Sequence, residues 1–330
     1  MKKKLELDLK TNYIYAWFTW TASNCSPNRD GGTGEIRVDS HRRVFTTQEC
    51  FNQIVRNGVF FAVQSGLVPN GKAELMGCKN VNFGPRTLKG AGKDLIKRIA
   101  AAEKIEEKNV GKEQVFKHSF DIPLFGLVNS NGFDNEGLPE SLTGSAGLIY
   151  LPKTVTQVVV ENRGISNAFS QPESKDSEEA KKMPGSHYTD YLVEGVFSTL
   201  AFVNVKQLEF VAEQKFGMTD KAKIRERIAE LVNLYLLGIW EGFKLLGYVS
   251  SMRKGQQPLA MFAAQRTTLA DYVSDPSDLL SDDKGTIPMH NNIPDTISKL
   301  KIKFDAWKKV FDEKDMKGMT LVEKSSPWGE

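Results

Sequence analysis

Three arginines, Arg37, Arg42 and Arg43, stand between a loop rich in Asn, Pro, Asp and Gly (23–34) and a segment expected to form a helix carrying Arg56. A second basic group, Arg253 and Lys254, sits beside Gln256 and Gln257 in a Gly-containing stretch. Guanidinium groups offer forked donors to phosphate oxygens, and glycine lets a backbone come close to them. The chemistry these residue types would do is phosphate-backbone binding. Taken alone, either cluster is more often a solvated face than a phosphate site. Their interest is that both flank the strands of one expected sheet.

Other constellations lead nowhere. Gly90-Ala91-Gly92-Lys93 invites a phosphate-loop reading, but that motif needs Gly where Thr87 stands and Ser or Thr where Asp94 stands. Ser186, His187 and Asp190 contain the residue types of a catalytic triad, yet neighbours on a strand point to opposite faces and no nucleophile-elbow motif is present. Asp30, Asp39, Asp121 and Asp190 are candidate acids or metal ligands. Asp30 lies in the first loop, where a carboxylate could assist cleavage of a bound RNA backbone, although loop aspartates ordinarily form turns. Cys25, Cys50 and Cys78 are odd in number and widely spaced, which argues for reduced thiols rather than a disulfide framework or zinc site. The four histidines show no metal-ligand spacing. No catalytic residue, metal or cofactor is expected.

The elements that would position the basic groups are legible in part. The segment 12–21 (NYIYAWFTWT) is aromatic and β-branched, a buried strand. Thr46 or Thr47 followed by Glu49 resembles a capping start for a helix through Cys50, Phe51, Ile54 and Val55. The stretch 66–92 has no clean period, and a short charged helix is expected over 93–108. A second strand region is expected over 116–128, with short strands over 146–151 and 155–160. A polar run over 170–182 leads to a Met-Pro-Gly-Ser-His turn, then to a strand through Val193, Gly195, Phe197, Ala201 and Val203, ended by Asn204 and followed by a helix start. The clearest helix is 221–248, with a stripe of Ile224, Ile228, Leu231, Tyr235, Ile239 and Phe243 and with Arg225, Arg227 and Glu230 at polar positions. A strand over 259–264 and an amphipathic helix over 297–311 follow. There is no internal repeat and no clear linker. This order predicts an α+β chain, an interrupted ferredoxin-like (RRM-type) sheet with helices on one face.

Composition sets outer bounds. The chain has 330 residues, 40% hydrophobic and 26% charged, which suits an ordinary globular core of one or two domains. A net charge of +3 means that nucleic-acid binding would have to come from local basic patches. No apolar run reaches the roughly 18 residues of a membrane span. The basic N-terminus has no apolar signal core behind it, so a cytoplasmic protein with no membrane partner is expected.

Several of these pieces together resemble a known family. Residues 23–59 (SNCSPNRDGGTGEIRVDSHRRVFTTQECFNQIVRNGV) are similar to the first loop and first helix of the backbone subunits of the CRISPR Cascade complex, the CasC/DevR-like, type I branch of the RAMP superfamily. FDIPLFG resembles that family's Leu-Phe-Gly strand end. GSHYTDYLVEGVFSTLAFVNVKQL resembles its Gly-small-His, strand and Val-Asn-Val segment, and SSMRKGQQPLAMFAA its loop and strand after the last long helix. The pieces run in the family's order across most of 12–265, whereas the chain from Thr267 onward matches only weakly.

The resemblance implies a hand-like fold: a palm over the whole chain (1–330), a helical finger insertion over 60–112 and a thumb hairpin over 155–187. It implies copies assembled head to tail along a CRISPR RNA, with other Cascade subunits, presenting the guide to target DNA. It would place RNA contacts on Arg37, Arg42, Arg43 and Arg56 in the palm, and on Arg253, Lys254 and Gln256 in the later loop. On the thumb it would use Arg163, Lys181, Lys182 and His187, with Phe169 or Met183 as a wedge between bases. An alternative within the family is a guide-dependent RNase acting through Asp30, as in type III relatives. An alternative from another class is a stand-alone RRM-like enzyme or metabolite-binding domain, which would be a monomer free of nucleic acid.

Overall fold

A computed structural model describes residues 7–25, 48–65, 67, 91–128, 141–142, 147–149, 153–154, 159–166, 187–249, 256–267 and 317–323. The expected helix over 297–311 lies outside these residues, as do 26–47, 167–186 and 250–255.

The centre of the fold is the strand β1 (Tyr13–Cys25). Ile14, Ala16, Phe18 and Trp20 on one face are buried, and so are Tyr15 and Thr19 on the other, as suits a strand at the centre of a sheet. On one side β1 pairs with β7 (His187–Asn204), and on the other with β8 (Gln257–Arg266), both antiparallel. Phe18 therefore sits between Thr199 and Met261, and Ala16 between Ala201 and Ala263. Pro258 falls opposite Trp20, next to a register shift, where a residue without an N–H is tolerated.

The sheet is completed by β9 (Lys317–Glu323) beside β8, and by β4 (Gly147–Ile149), β5 (Lys153–Thr154) and β6 (Val159–Ser166) along the outer edge of β7. Its order is β4-β7-β1-β8-β9, with β5 and β6 also on β7. A separate pair joins β2 (Leu127–Val128) to β3 (Ser141–Leu142). The sequence shows no signal for β9, which follows a long stretch with no strand period.

Two helices cover the inner face of the sheet, α1 (Gln48–Gln64) and α6 (Lys221–Val249). Their backbones touch at glycines. A Cβ on Gly58 would lie 2.1 Å from the carbonyl oxygen of Gly238 and 2.4 Å from the amide nitrogen of Gly242. Beneath this crossing the core is aromatic. The Trp20 ring stacks on Phe197 at 5.1 Å, and Phe243 meets Trp20 at 4.6 Å, Phe18 at 5.0 Å and Phe51 at 5.4 Å.

Asn204 ends β7 and caps α5 (Val205–Gln214): its Oδ1 accepts from the backbone N–H of Gln207 at 3.0 Å. The expected strand end and helix start are found where the sequence places them. Asp220 does the same for α6, accepting from the N–H groups of Ala222 and Lys223 at 3.0 and 3.2 Å.

Two expectations need correction. The charged helix of 93–108 is α2 (Ala91–Glu103), which stops at Lys104, a residue with φ of 58°, and is followed by a 3-10 turn at Glu107–Asn109. The expected strand region 116–128 is largely helical, made of α3 (Lys112–His118) and α4 (Asp121–Phe125), and only its last two residues are strand. Its aromatic richness reads as strand, but Pro123 cannot serve a ladder, and Ser119 Oγ accepts from the N–H of Ile122 at 3.3 Å to open α4. Among the described residues no helix is long and apolar enough to cross a membrane, and no group of acidic, His or Cys side chains is placed to hold a metal.

Candidate nucleic-acid interface

The described residues next to the segments predicted to carry basic contacts share one end of the sheet. β1 ends at Cys25, immediately before the loop bearing Arg37, Arg42 and Arg43. α1 begins at Gln48, and its Phe51 lies against Trp20 near that same end. α6 ends at Val249 and β8 begins at Gln257 opposite Thr21, so the segment with Arg253 and Lys254 is rooted there too. β7 pairs with β1 only from Val193 onward. Its first residues run past Cys25 and pair instead with β6, from Ser166 opposite His187 to Val159 opposite Glu194. The ladder of the expected thumb thus departs from the end of the sheet at which β1 ends and β8 begins.

Of the individual candidates, Arg163 and His187 are placed on this ladder, Arg163 opposite Asp190 and His187 opposite Ser166. Arg37, Arg42, Arg43, Phe169, Lys181, Lys182, Met183, Arg253 and Lys254 lie outside the described residues, as do Asp30 and Ser186.

The side chains of Gln256 and Arg56 are described. Gln256 is buried, and its Oε1 accepts the indole N–H of Trp20 at 2.9 Å. This amide fixes the point where the chain re-enters the sheet from the basic segment before β8. Arg56 projects from α1 toward α4. Its Nε donates to Asp121 Oδ2 at 3.3 Å, and its guanidinium lies 4.8 Å from the centre of the Phe125 ring. Only 15% of the Arg56 side chain is exposed. Asp121, a candidate acid on sequence grounds, is thus a buried partner of Arg56.

Other ionic groups in this part of the body escape sequence reasoning. Arg227, expected on the polar side of the long helix, is 7% exposed. Its Nε donates to the carbonyl of Phe116 at 3.3 Å and a terminal nitrogen donates to that of Ser119 at 3.2 Å, which satisfies the C-terminal end of α3. Glu103, at the end of α2, faces two residues of α3: its Oε1 lies 2.5 Å from His118 Nε2 and 2.6 Å from Lys117 Nζ. Hydrogen bonds from Lys117 and His118 hold the Glu103 carboxyl below its usual range. Burial holds His118 below the ordinary imidazole value, against the pull of Glu103. The only sequence signal for either feature is a charged residue interrupting an apolar pattern, which looks the same when it is solvated.

No known sequence family matches the chain, and no curated protein matches it. Solved structures do. A chain described as "CRISPR RNA-guided surveillance complex, pre-nicking" superposes with a TM-score of 0.53 at 15% identity, covering 96% of this chain and 95% of that one. A chain described as "CRISPR RNA-guided surveillance complex" has a TM-score of 0.48 at 14% identity, covering 96% and 93%. The protein shares its fold, over nearly its full length, with a component of a CRISPR RNA-guided surveillance complex.

Proposed function

We propose that this chain is a non-catalytic backbone subunit of a type I Cascade surveillance complex. It binds CRISPR RNA, assembles head to tail with further copies of itself and with other Cascade subunits, and presents the guide for pairing with target DNA. It works in the cytoplasm. The observation that carries this reading is the common root of the two basic segments and the β6–β7 ladder at one end of the sheet. A strand of RNA laid across that end would meet Arg37, Arg42 and Arg43 from one segment, Arg253 and Lys254 from another, and the arm from a third.

The whole-length likeness in fold supports the same reading. So does the sheet order. In this reading β4, β7, β1 and β8 are the four strands of a ferredoxin-like palm, with α1 falling between β1 and β4 and α6 between β7 and β8 in the chain. In this reading 60–112 is the finger and 155–187 the thumb. Gln256 and Arg56 contribute by holding the scaffold from which the phosphate-binding residues project.

Affinity would come from many copies on one strand rather than from the net charge of one chain. A head-to-tail interface that does not close on itself produces a helical filament. Guide pairing would supply sequence specificity, and the protein would hold backbone and shape.

The test is to purify the protein expressed with a CRISPR RNA and its partner subunits, and to follow absorbance at the nucleic-acid and protein wavelengths across a sizing column. A large species carrying nucleic acid that collapses on RNase treatment is expected. A monomer free of nucleic acid under these conditions would overturn the proposal in favour of a stand-alone domain.

A further inference from the structure

The contact between α2 and α3 has the build of a conformational device. α2 buries Leu95, Ile96, Ile99 and Ala100, then ends at Glu103. The connection over 104–109 is exposed throughout, and Lys104 turns it through a positive φ. At the far end of α3, His118 returns to the carboxylate of Glu103, with Nε2 2.5 Å from Oε1. Two polar contacts therefore close the loop between the last turn of α2 and the last turn of α3: the buried one from His118, and one from the half-exposed Lys117, whose Nζ lies 2.6 Å from the same oxygen. Beyond it α3 is held independently, because Arg227 of α6 caps its carbonyls and Val115 and Phe116 are buried.

The charged groups around the His118 ring are Glu103 from α2, Lys117 on its own helix and Arg227 from α6. With the ring neutral, its Nε2–H donates to the Glu103 carboxylate and the ring adds no charge to the buried Arg227 beside it. A proton added to Nδ1 places an imidazolium in a site only 7% exposed, beside two cations and one anion. Hydration of that cation requires the ring to leave its site, which removes the buried contact to α2 and leaves only the half-exposed Lys117–Glu103 pair, weak in water. The bonds from Arg227 to the carbonyls of Phe116 and Ser119 do not involve the His118 ring, so α3 stays in place.

We propose that Glu103 and His118 form an acid-released latch between α2 and α3. Closed, it fixes the last turn of α2 and the exposed connection that follows. Released, it frees that segment while the rest of the body stays folded. The direction follows from proton linkage. His118 binds its proton less readily folded than unfolded, so its contribution is present above the ordinary imidazole value of 6.5 and is lost as pH falls through its lower, folded value. Glu103 acts in the same direction but further toward acid, below its ordinary value of 4.5, so the histidine is the first to respond.

Hydrogen–deuterium exchange on the intact protein reads the latch directly. Protection of amides over 99–111, corrected for intrinsic exchange, should fall roughly tenfold between about pH 7.5 and about pH 5.5, whereas the sheet and α6 stay protected. His118→Gln keeps a donor for Glu103 and cannot be protonated, so in it this local response should vanish. Glu103→Gln removes the anion that favours the imidazolium, so release should move to lower pH. Unchanged wild-type protection over 99–111 would overturn the latch, as would a response that persists in His118→Gln. Should His118→Gln fail to fold, a release pH unmoved in Glu103→Gln would overturn it equally.

Discussion

Trp20 and Gln256 are joined by a hydrogen bond of 2.9 Å in which both side chains are buried, one in the central strand and the other at the mouth of the strand beside it. The indole has a single donor, and Gln256 Oε1 accepts it. Gln256→Leu leaves that N–H buried and unsatisfied, a cost of about 1–3 kcal/mol. The expected result is a lower urea midpoint with an unchanged slope. An equal midpoint would show that the indole finds another acceptor.

The glycine crossing of α1 and α6 predicts a larger effect. Gly58→Ala puts a methyl group 2.1 Å from a backbone oxygen, which no side-chain rotation relieves. The helices must separate over the aromatic core, at about 3 kcal/mol or more. Thermal unfolding checks this, and a loss under about 1 kcal/mol would mean that the crossing adjusts freely.

Arginines in different settings should fail differently. Arg56→Ala removes a largely buried partner of Asp121 and a stack on Phe125, so it should lower stability by about 2 kcal/mol. Arg253→Ala and Arg37→Ala should leave stability unchanged, weaken guide RNA binding, and each reduce the salt slope by about one. Titrations of binding against salt, beside unfolding curves, separate the two classes. Unchanged salt slopes in both Arg253→Ala and Arg37→Ala would remove the basic segments from the interface.

Tyr235 is fully buried on α6, and among the described residues its hydroxyl has no hydrogen-bond partner. Burial pushes its ionisation far above the ordinary phenol range. Tyr235→Phe deletes the stranded hydroxyl and keeps the ring, so stability should be equal or higher by up to about 1 kcal/mol. A clear loss in calorimetry would show that the hydroxyl is satisfied in solution.

Much of the scaffold was legible because its signals are local. The alternation in β7, its end at Asn204 and the start of α5 are written in consecutive residues, as is the long stripe of α6. The segment 116–128 was misread for the converse reason. Phe116, Ile122 and Leu124 are buried from two short helices and Phe120 from the link between them, and short helices set by tertiary caps carry too few residues to show a period. Arg227 is indistinguishable in sequence from its solvated neighbours, because the carbonyls that hold it come from residues 116 and 119, more than a hundred positions away. Of the candidate interface, the sequence revealed the residue types, while their common root depends on strand order, which no local pattern encodes.

β7 is one unbroken strand of 18 residues, roughly 55–60 Å from end to end. Its final residues are interleaved with the core, where Phe197, Thr199, Ala201 and Val203 alternate inward. A slip of one residue against β1 would turn all four outward, so the strand cannot creep. A load applied near His187 is therefore delivered as shear to the β1–β7 ladder, with its fulcrum where pairing passes from β6 to β1 at Val193 and Glu194. The β6–β7 ladder is thus one end of a strand whose other end is locked in the centre of the sheet, so a force on the first reaches the core directly.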